Sequence, residues 1–475
     1  MLFNSYAFVF LFFPLCLIGF FLAKRIGKAD ICKAFLIGMS LWFYGFMNAS
    51  NVPILLISMV VNYGIFGWLR KEEKYACGRK KLALVTGLLV NLGALFFFKY
   101  TGTAFVPLGI SFFTFSQISL LMEGYRGNLK EISPLDYGVY ITFFPKLVEG
   151  PIALPQEMNG QVEKIMERPF DWEMFYRSFC LFILGLSKKV LLADTLGAAV
   201  DHGYLNLAML NSGDAWIVML SYTLQLYFDF SGYCDMAMGI AGMLGFALPL
   251  NFHSPYKAAN ILEFWKGWHI TLTRFFTKYL YIPLGGNRKG RGRTYLNTLV
   301  IFLVSGIWHG AGLTFIVWGM MHGVLYVITR WWKEHHKAAD SRIGHAFSVI
   351  ATFLYVNVAW VFFRAPSVKE AVELIQKLIL GGIGRINWDL AGCFNLDEFW
   401  YVIKVLHIDS WQYAHYILMV LFLLVALLLI FFAKTAVEIS KKIRPTIVST
   451  AIMAVLLVWC IITFSEVSSF LYFNF

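Results

Sequence analysis

His309 is the side chain in this sequence that its neighbours explain least. It lies in the run 298–318 (TLVIFLVSGIWHGAGLTFIVW), which reads as one membrane-spanning helix. An ionisable group inside an apolar span is costly to keep, and where it is kept it marks chemistry or a pathway. A helix beginning near Leu296 places His309 about 20 Å along it, well inside a hydrocarbon core of about 30 Å. An imidazole at that depth is suited to take a proton from a hydroxyl away from bulk water.

A second imidazole, His269, sits among Phe264, Trp265, Trp268, Phe275 and Phe276 in a stretch, 263–281, whose charges are too frequent for a lipid-facing span. Such a stretch suits an interfacial helix or one tucked into the protein. Tyr222, Gln225, Asp229 and Tyr233 recur at spacings of three and four, so they share one helix face, which must meet protein or water if it lies in a bilayer. Gly232, Gly239, Gly242 and Gly245 on the same segment favour close helix packing. Gly306 and Gly310 bracket His309 with a smooth edge, which serves packing, leaves room beside the imidazole, or does both. His322 stands thirteen residues beyond His309, which on an unbroken helix is about 220° around and about 20 Å further along, so it is assigned to packing or to the opposite face.

The elements that must carry these residues follow from composition. The 475-residue chain is 59% hydrophobic and only 14% charged, more apolar than a water-soluble surface allows, and no stretch is left over for a separate soluble domain. It reads as a single polytopic membrane domain over 1–475, with a core about 100–365 and C-terminal membrane helices about 410–470. Its net charge of +12 gathers in short loops such as Lys24 to Lys33, Arg70 to Lys81 and Arg288 to Arg293. That is the positive-inside pattern of a membrane protein, so nucleic acid is excluded as a partner and the bilayer is implied. The same loops put the N-terminus outside, and the first apolar stretch is expected to be an anchor and not a cleaved signal. Lys188 and Lys189 are expected to snorkel toward headgroups. Seven scattered cysteines offer neither a disulfide framework nor a metal site, and no metal is expected. Residues 135–160 hold Pro145, Gly150, Pro151 and Pro155 in an apolar frame, which points to a re-entrant segment.

Several of these stretches together resemble the membrane-bound O-acyltransferase superfamily. They are PLGISFFTF (107–115), FFPKLVEGPI (143–152), YFDFSGY (227–233), FWKGWH (264–269), YIPLGGN (281–287) and SGIWHG (305–310). They are similar above all to its bacterial branch of alginate O-acetyltransferases and teichoic-acid D-alanyl transfer proteins, with AWVFFR (359–364) and the closing YFNF (472–475) matching the alginate type. The sequence departs from the pattern at Lys266-Gly267, Thr277-Lys278 and the Lys146/Glu149 pair, near the donor mouth and the broken segment.

The resemblance implies an all-α fold of about ten to twelve transmembrane helices, with re-entrant and interfacial helices around a central tunnel. It implies acyl transfer, most simply of acetyl, from a cytoplasmic thioester to a polysaccharide hydroxyl beyond a bacterial cytoplasmic membrane. His309 would be the general base and His269 a second catalytic residue, with Asp229, Gln225, Tyr233, Trp308 and Arg288 as substrate-binding candidates. No bound cofactor is implied. Acetyl-coenzyme A or a phosphopantetheine thioester on an acyl carrier protein would be the donor, and an extracytoplasmic esterase-like acetyltransferase of the SGNH type would complete the transfer to polysaccharide. D-alanyl transfer from a carrier protein is the enzyme alternative. A secondary transporter or channel is the alternative of another class, although no internal repeat supports it.

Overall fold

The computed structural model describes residues 1–71, 77–103, 105–129, 131–336, 341–395, 400–407, 411, 413–466 and 470–471; the closing YFNF stretch lies outside them. Among these residues the regular elements are all helical. Six helices are long and apolar enough to cross a membrane: Ala7–Arg25, Asn51–Lys71, Gly78–Tyr100, Leu313–His335, Arg342–Arg364 and Ala414–Phe431. The chain is an all-α, multi-pass membrane protein. The resemblance implies ten to twelve spans, and among the described residues some apolar runs fold into shorter helices. Ile110–Tyr125 is one, at 16 residues and buried almost throughout. An apolar run does not by itself distinguish a lipid-facing helix from one enclosed by protein.

The residues gather into two units. The first comprises 1–186, 233–250 and 440–455. It contains α1 (Phe13–Arg25), α2 (Ala29–Gly45), α3 (Asn51–Lys71), α4 (Cys77–Tyr100), α5 (Ile110–Tyr125), the short α6 (Pro134–Thr142) and α7 (Phe144–Leu147), and α8 (Trp172–Ser187). Asn62 and Asn91 exchange side-chain hydrogen bonds of 3.2 and 2.6 Å, joining α3 to α4 where apolar packing alone gives little preference between helices. Lys33, which sequence places in a basic loop, is buried and bridges Asp136 at 2.7 Å and Glu163.

The broken segment of this unit is buried, and its irregular backbone finds partners inside the protein. The Tyr140 hydroxyl lies 3.0 Å from the Ser116 carbonyl and 3.3 Å from that of Ala153. Gly150 lies so close to α7 that an added Cβ would stand 2.2 Å from the Lys146 Cα. No other residue fits there without moving backbone.

The second unit comprises 187–232, 251–439 and 456–475. The helix α9 (Ser212–Met243) contributes its first part to this unit and its last part to the other. There follow α10 (Ile261–Gly267), α11 (Ile270–Phe276), α12 (Arg291–His309), α13 (Leu313–His335), α14 (Arg342–Arg364), α15 (Val368–Leu380) and α16 (Ala414–Phe431). Its core is aromatic, with Trp268, Trp318 and Trp360 fully enclosed.

The run 298–318, expected as one helix, is instead two. Gly310 ends α12 in an extended conformation and Gly312 caps α13, so the chain reverses there. Glycine has low helix propensity, and here the reversal is fixed by packing. An added Cβ on Gly306 would meet the Phe315 carbonyl oxygen at 2.5 Å, and one on Gly319 the Phe302 carbonyl oxygen at 2.5 Å, so the two helices pack with backbones nearly touching.

Candidate active site

His309 is therefore the last residue of a helix and not the middle of one. It is 4% exposed and lies among rings, with centroids 4.6 Å from Trp308, 5.0 Å from Trp318 and 5.0 Å from Phe363. Beyond Gly310 the chain comes to the surface at Ala311, Gly312 and Leu313. The room that Gly310 leaves beside the imidazole is taken by the Phe315 ring, 2.2 Å from where its Cβ would be. The packing reading of the glycine pair is realised at both positions.

The break also undoes the sequence argument about His322. With α13 folded back on α12, His322 reaches the same indole that His309 touches: its ring lies 5.2 Å from Trp318. A helical-wheel angle carried across a chain reversal has no meaning.

His269 sits at the junction of α10 and α11, fully buried, with a left-handed backbone (φ 43°). Its Nδ1 lies 3.0 Å from the Oδ1 of Asn251, which also accepts from the Thr271 N–H at 3.2 Å and the Thr271 hydroxyl at 2.9 Å. A backbone N–H can only donate, so that Asn251 atom is the oxygen and His269 must carry its proton on Nδ1. The lone pair is left on Nε2, which has no hydrogen-bond partner among the described residues. Burial pushes this imidazole down to about 3, so it is neutral at pH 7. Asn251→Leu strips the acceptor from three buried donors. It is expected to cost roughly 1–3 kcal/mol for each donor left unpaired and to lower the unfolding midpoint measured in detergent.

A cavity of about 600 Å³ opens between α10, α11 and the turn after it on one side and α12 and α13 on the other. Lys266, Arg274, Lys278 and Arg330 line it, and among the described residues no carboxylate does. Its apolar wall includes Trp265 and Phe302, and it reaches Ser305, one helical turn before His309. An opening with cations and an aromatic wall suits a ligand that joins phosphates to an apolar or thioester end.

Residues 82–365 match the family model described as MBOAT, the membrane-bound O-acyltransferase family. A peptidoglycan O-acetyltransferase of Helicobacter pylori is 38% identical over 427 residues, 81% of either chain. A probable alginate O-acetylase of Pseudomonas aeruginosa is 34% identical over 412 residues, 82% of this chain and 76% of that one. The chain belongs to the membrane-bound O-acyltransferase family. It is an O-acyltransferase, and membership of this family sets aside the transporter or channel alternative. A teichoic acid D-alanyltransferase of Bacillus subtilis is also similar, at 27% identity over 272 residues, 54% of this chain and 68% of that one.

Within this acyltransferase the carboxylate of the α9 stripe is held by protein contacts. Asp229 is paired at 2.8 Å with Lys189, whose ammonium also holds Asp194 at 2.8 Å, and it accepts the Leu471 N–H at 3.0 Å. Lys189 is thus a buried ion-pair partner and not a snorkelling side chain. Gln225 packs against Gly197, whose Cβ would come within 2.7 Å of its amide nitrogen, and Tyr233 stacks on Phe3 with centroids 5.0 Å apart. Gly239 and Gly242 press the end of α9 onto α8, where added Cβ atoms would meet the Phe182 nitrogen at 2.6 Å and the Ser178 hydroxyl at 2.4 Å. Trp308 lies beside His309, whereas Arg288 is in an exposed turn and is not among the residues lining the cavity. The sequence reading marked Lys266 and Lys278 as departures near the donor mouth, and it left out Arg274 and Arg330. The spacing of four between Arg274 and Lys278 is the signal that would have found Arg274, whereas Lys266 lies on α10, before the break at His269.

Proposed function

We propose that this O-acyltransferase takes an acetyl group from a cytoplasmic thioester, acetyl-coenzyme A, and passes it toward hydroxyls of an extracytoplasmic cell-wall polysaccharide in a bacterial cytoplasmic membrane. The observation that carries the reading is the basic cavity, whose wall includes Ser305, one helical turn before His309. The O-acetyltransferase names of the two relatives that cover four fifths of this chain support acetyl over D-alanyl.

In this reading the cations of the cavity hold the donor phosphates and its thioester end lies toward Ser305. His309 takes the proton of the acceptor hydroxyl as that oxygen attacks the thioester carbonyl. The carbon–sulfur bond then breaks, and the thiolate leaves with the proton from His309. The aromatic enclosure keeps water from competing with the acceptor. His269, with a lone pair on Nε2, serves as a second proton-carrying or orienting group. An extracytoplasmic esterase-like acetyltransferase receives the acetyl group where the final acceptor polymer cannot itself reach the site.

Radiolabelled acetyl-coenzyme A supplied to the purified protein tests the reading: wild type releases free thiol and transfers label, and His309→Ala does neither. Identical behaviour of the two would overturn it. Competition by a D-alanyl carrier thioester that exceeds acetyl-coenzyme A would favour the teichoic-acid reading instead. For the cavity, Lys266→Glu is expected to raise the donor KM by about tenfold, the equivalent of about 1.4 kcal/mol, with the gap closing as salt is raised. A KM unmoved by this reversal would take the donor out of the cavity.

A further inference from the structure

His322 is buried completely, and among the described residues neither of its ring nitrogens has a hydrogen-bond partner. A buried donor or acceptor left unsatisfied costs roughly 1–3 kcal/mol, and a phenyl or isobutyl group would fill the same space without that cost. Its neighbours give it no structural task that needs nitrogen. They are rings: Trp265 at 5.1 Å, Trp318 at 5.2 Å, Trp360 at 5.9 Å and Phe264 at 6.1 Å.

Its position is more informative than its burial. Trp265 and Phe302, two of the rings packed on it, are also wall residues of the basic cavity, so His322 stands one side chain behind that wall. Trp318, whose ring is 6.0 Å from that of Trp265, is shared with His309, which places the two imidazoles no more than about 10 Å apart, each being about 5 Å from that indole. The indole nitrogen of Trp265 has no hydrogen-bond partner among the described residues either, so no polar contact there pins the ring that separates His322 from the cavity.

We infer that His322 is a further catalytic residue, reached from the cavity when the Trp265 side chain turns aside, whose ring N–H holds the thioester carbonyl oxygen as negative charge develops on it. The inference rests on the donor and base assignments made above. The proton balance is unchanged by it. The acceptor hydroxyl gives its proton to His309, the carbonyl electron pair moves onto the oxygen held by His322, and collapse of that oxyanion expels the thiolate, which leaves with the proton from His309. His322 keeps its own proton throughout.

The test uses the full-length protein with acetyl-coenzyme A, following free thiol release and thermal unfolding in the same preparation. His322→Phe and His322→Leu are expected to unfold at or above the wild-type temperature, because they remove uncompensated nitrogens. Their kcat should fall about 100-fold, the usual loss on deleting one oxyanion donor. The donor KM should stay close to wild type, since the lost contact acts in the transition state. His322→Asn, which keeps an N–H, should recover part of the rate. A folded apolar variant with wild-type kcat overturns the inference. So does failure of both apolar variants to fold, which would show the nitrogens to be structural. His309→Ala, run alongside, keeps the two assignments apart: a dead His309→Ala beside a fully active His322→Phe removes only the role of His322, while an active His309→Ala removes the base.

Discussion

His309→Ala is expected to lose 10²–10⁴-fold in acetyl transfer, on the order of 3–5 kcal/mol of barrier, while remaining folded. On the proposed mechanism the loss is catalytic, because the imidazole acts as the base one helical turn from Ser305 of the cavity wall, whereas the backbone at that point is fixed by the Gly306 and Gly319 approach and not by the side chain. Thiol release from acetyl-coenzyme A measures the first half of the statement and the unfolding midpoint in detergent the second. Added imidazole restoring part of the rate would tie the loss to the missing ring. A variant that loses activity only in proportion to its stability would remove His309 from the chemistry.

The largest structural effect is expected at Lys189. Its side chain is 1% exposed, that of Asp229 is 2% exposed, and Asp194 completes the cluster. Lys189→Met leaves two carboxylates in a low-dielectric interior without their cation, which should cost roughly 3–5 kcal/mol. The double variant Lys189→Met/Asp229→Leu should regain much of that, because a buried pair replaced by apolar groups of similar size is often neutral. The two unfolding midpoints decide it. If the single variant is as stable as wild type, the cluster is wetter than its burial implies.

What the sequence disclosed and what it concealed follow a physical line. His309 was legible because an imidazole in an apolar run has no packing reason to exist, and His269 because an ordered aromatic surround accompanies it. The stripe of α9 was legible as a face turned away from lipid, toward protein or water, since its period of three and four is a local property. What escaped was tertiary. Gly310 and Gly312 are glycines placed to end one helix and begin another, yet an apolar flank on each side makes the run look continuous. The meeting of His322 with Trp318 follows only once that reversal is known. Lys189 looks like any basic residue near a helix end until Asp194 and Asp229 are seen to enclose it.

The backbone of His269, finally, restricts which amino acids its position accepts. Left-handed φ values are disfavoured for residues bearing a Cβ and worst for β-branched ones, while asparagine tolerates them. Valine, isoleucine or threonine there would force the α10–α11 corner to open even with an ideal pocket around it. Drift at this site is therefore channelled toward short polar side chains, and the corner filters substitutions on shape before any selection on catalysis applies.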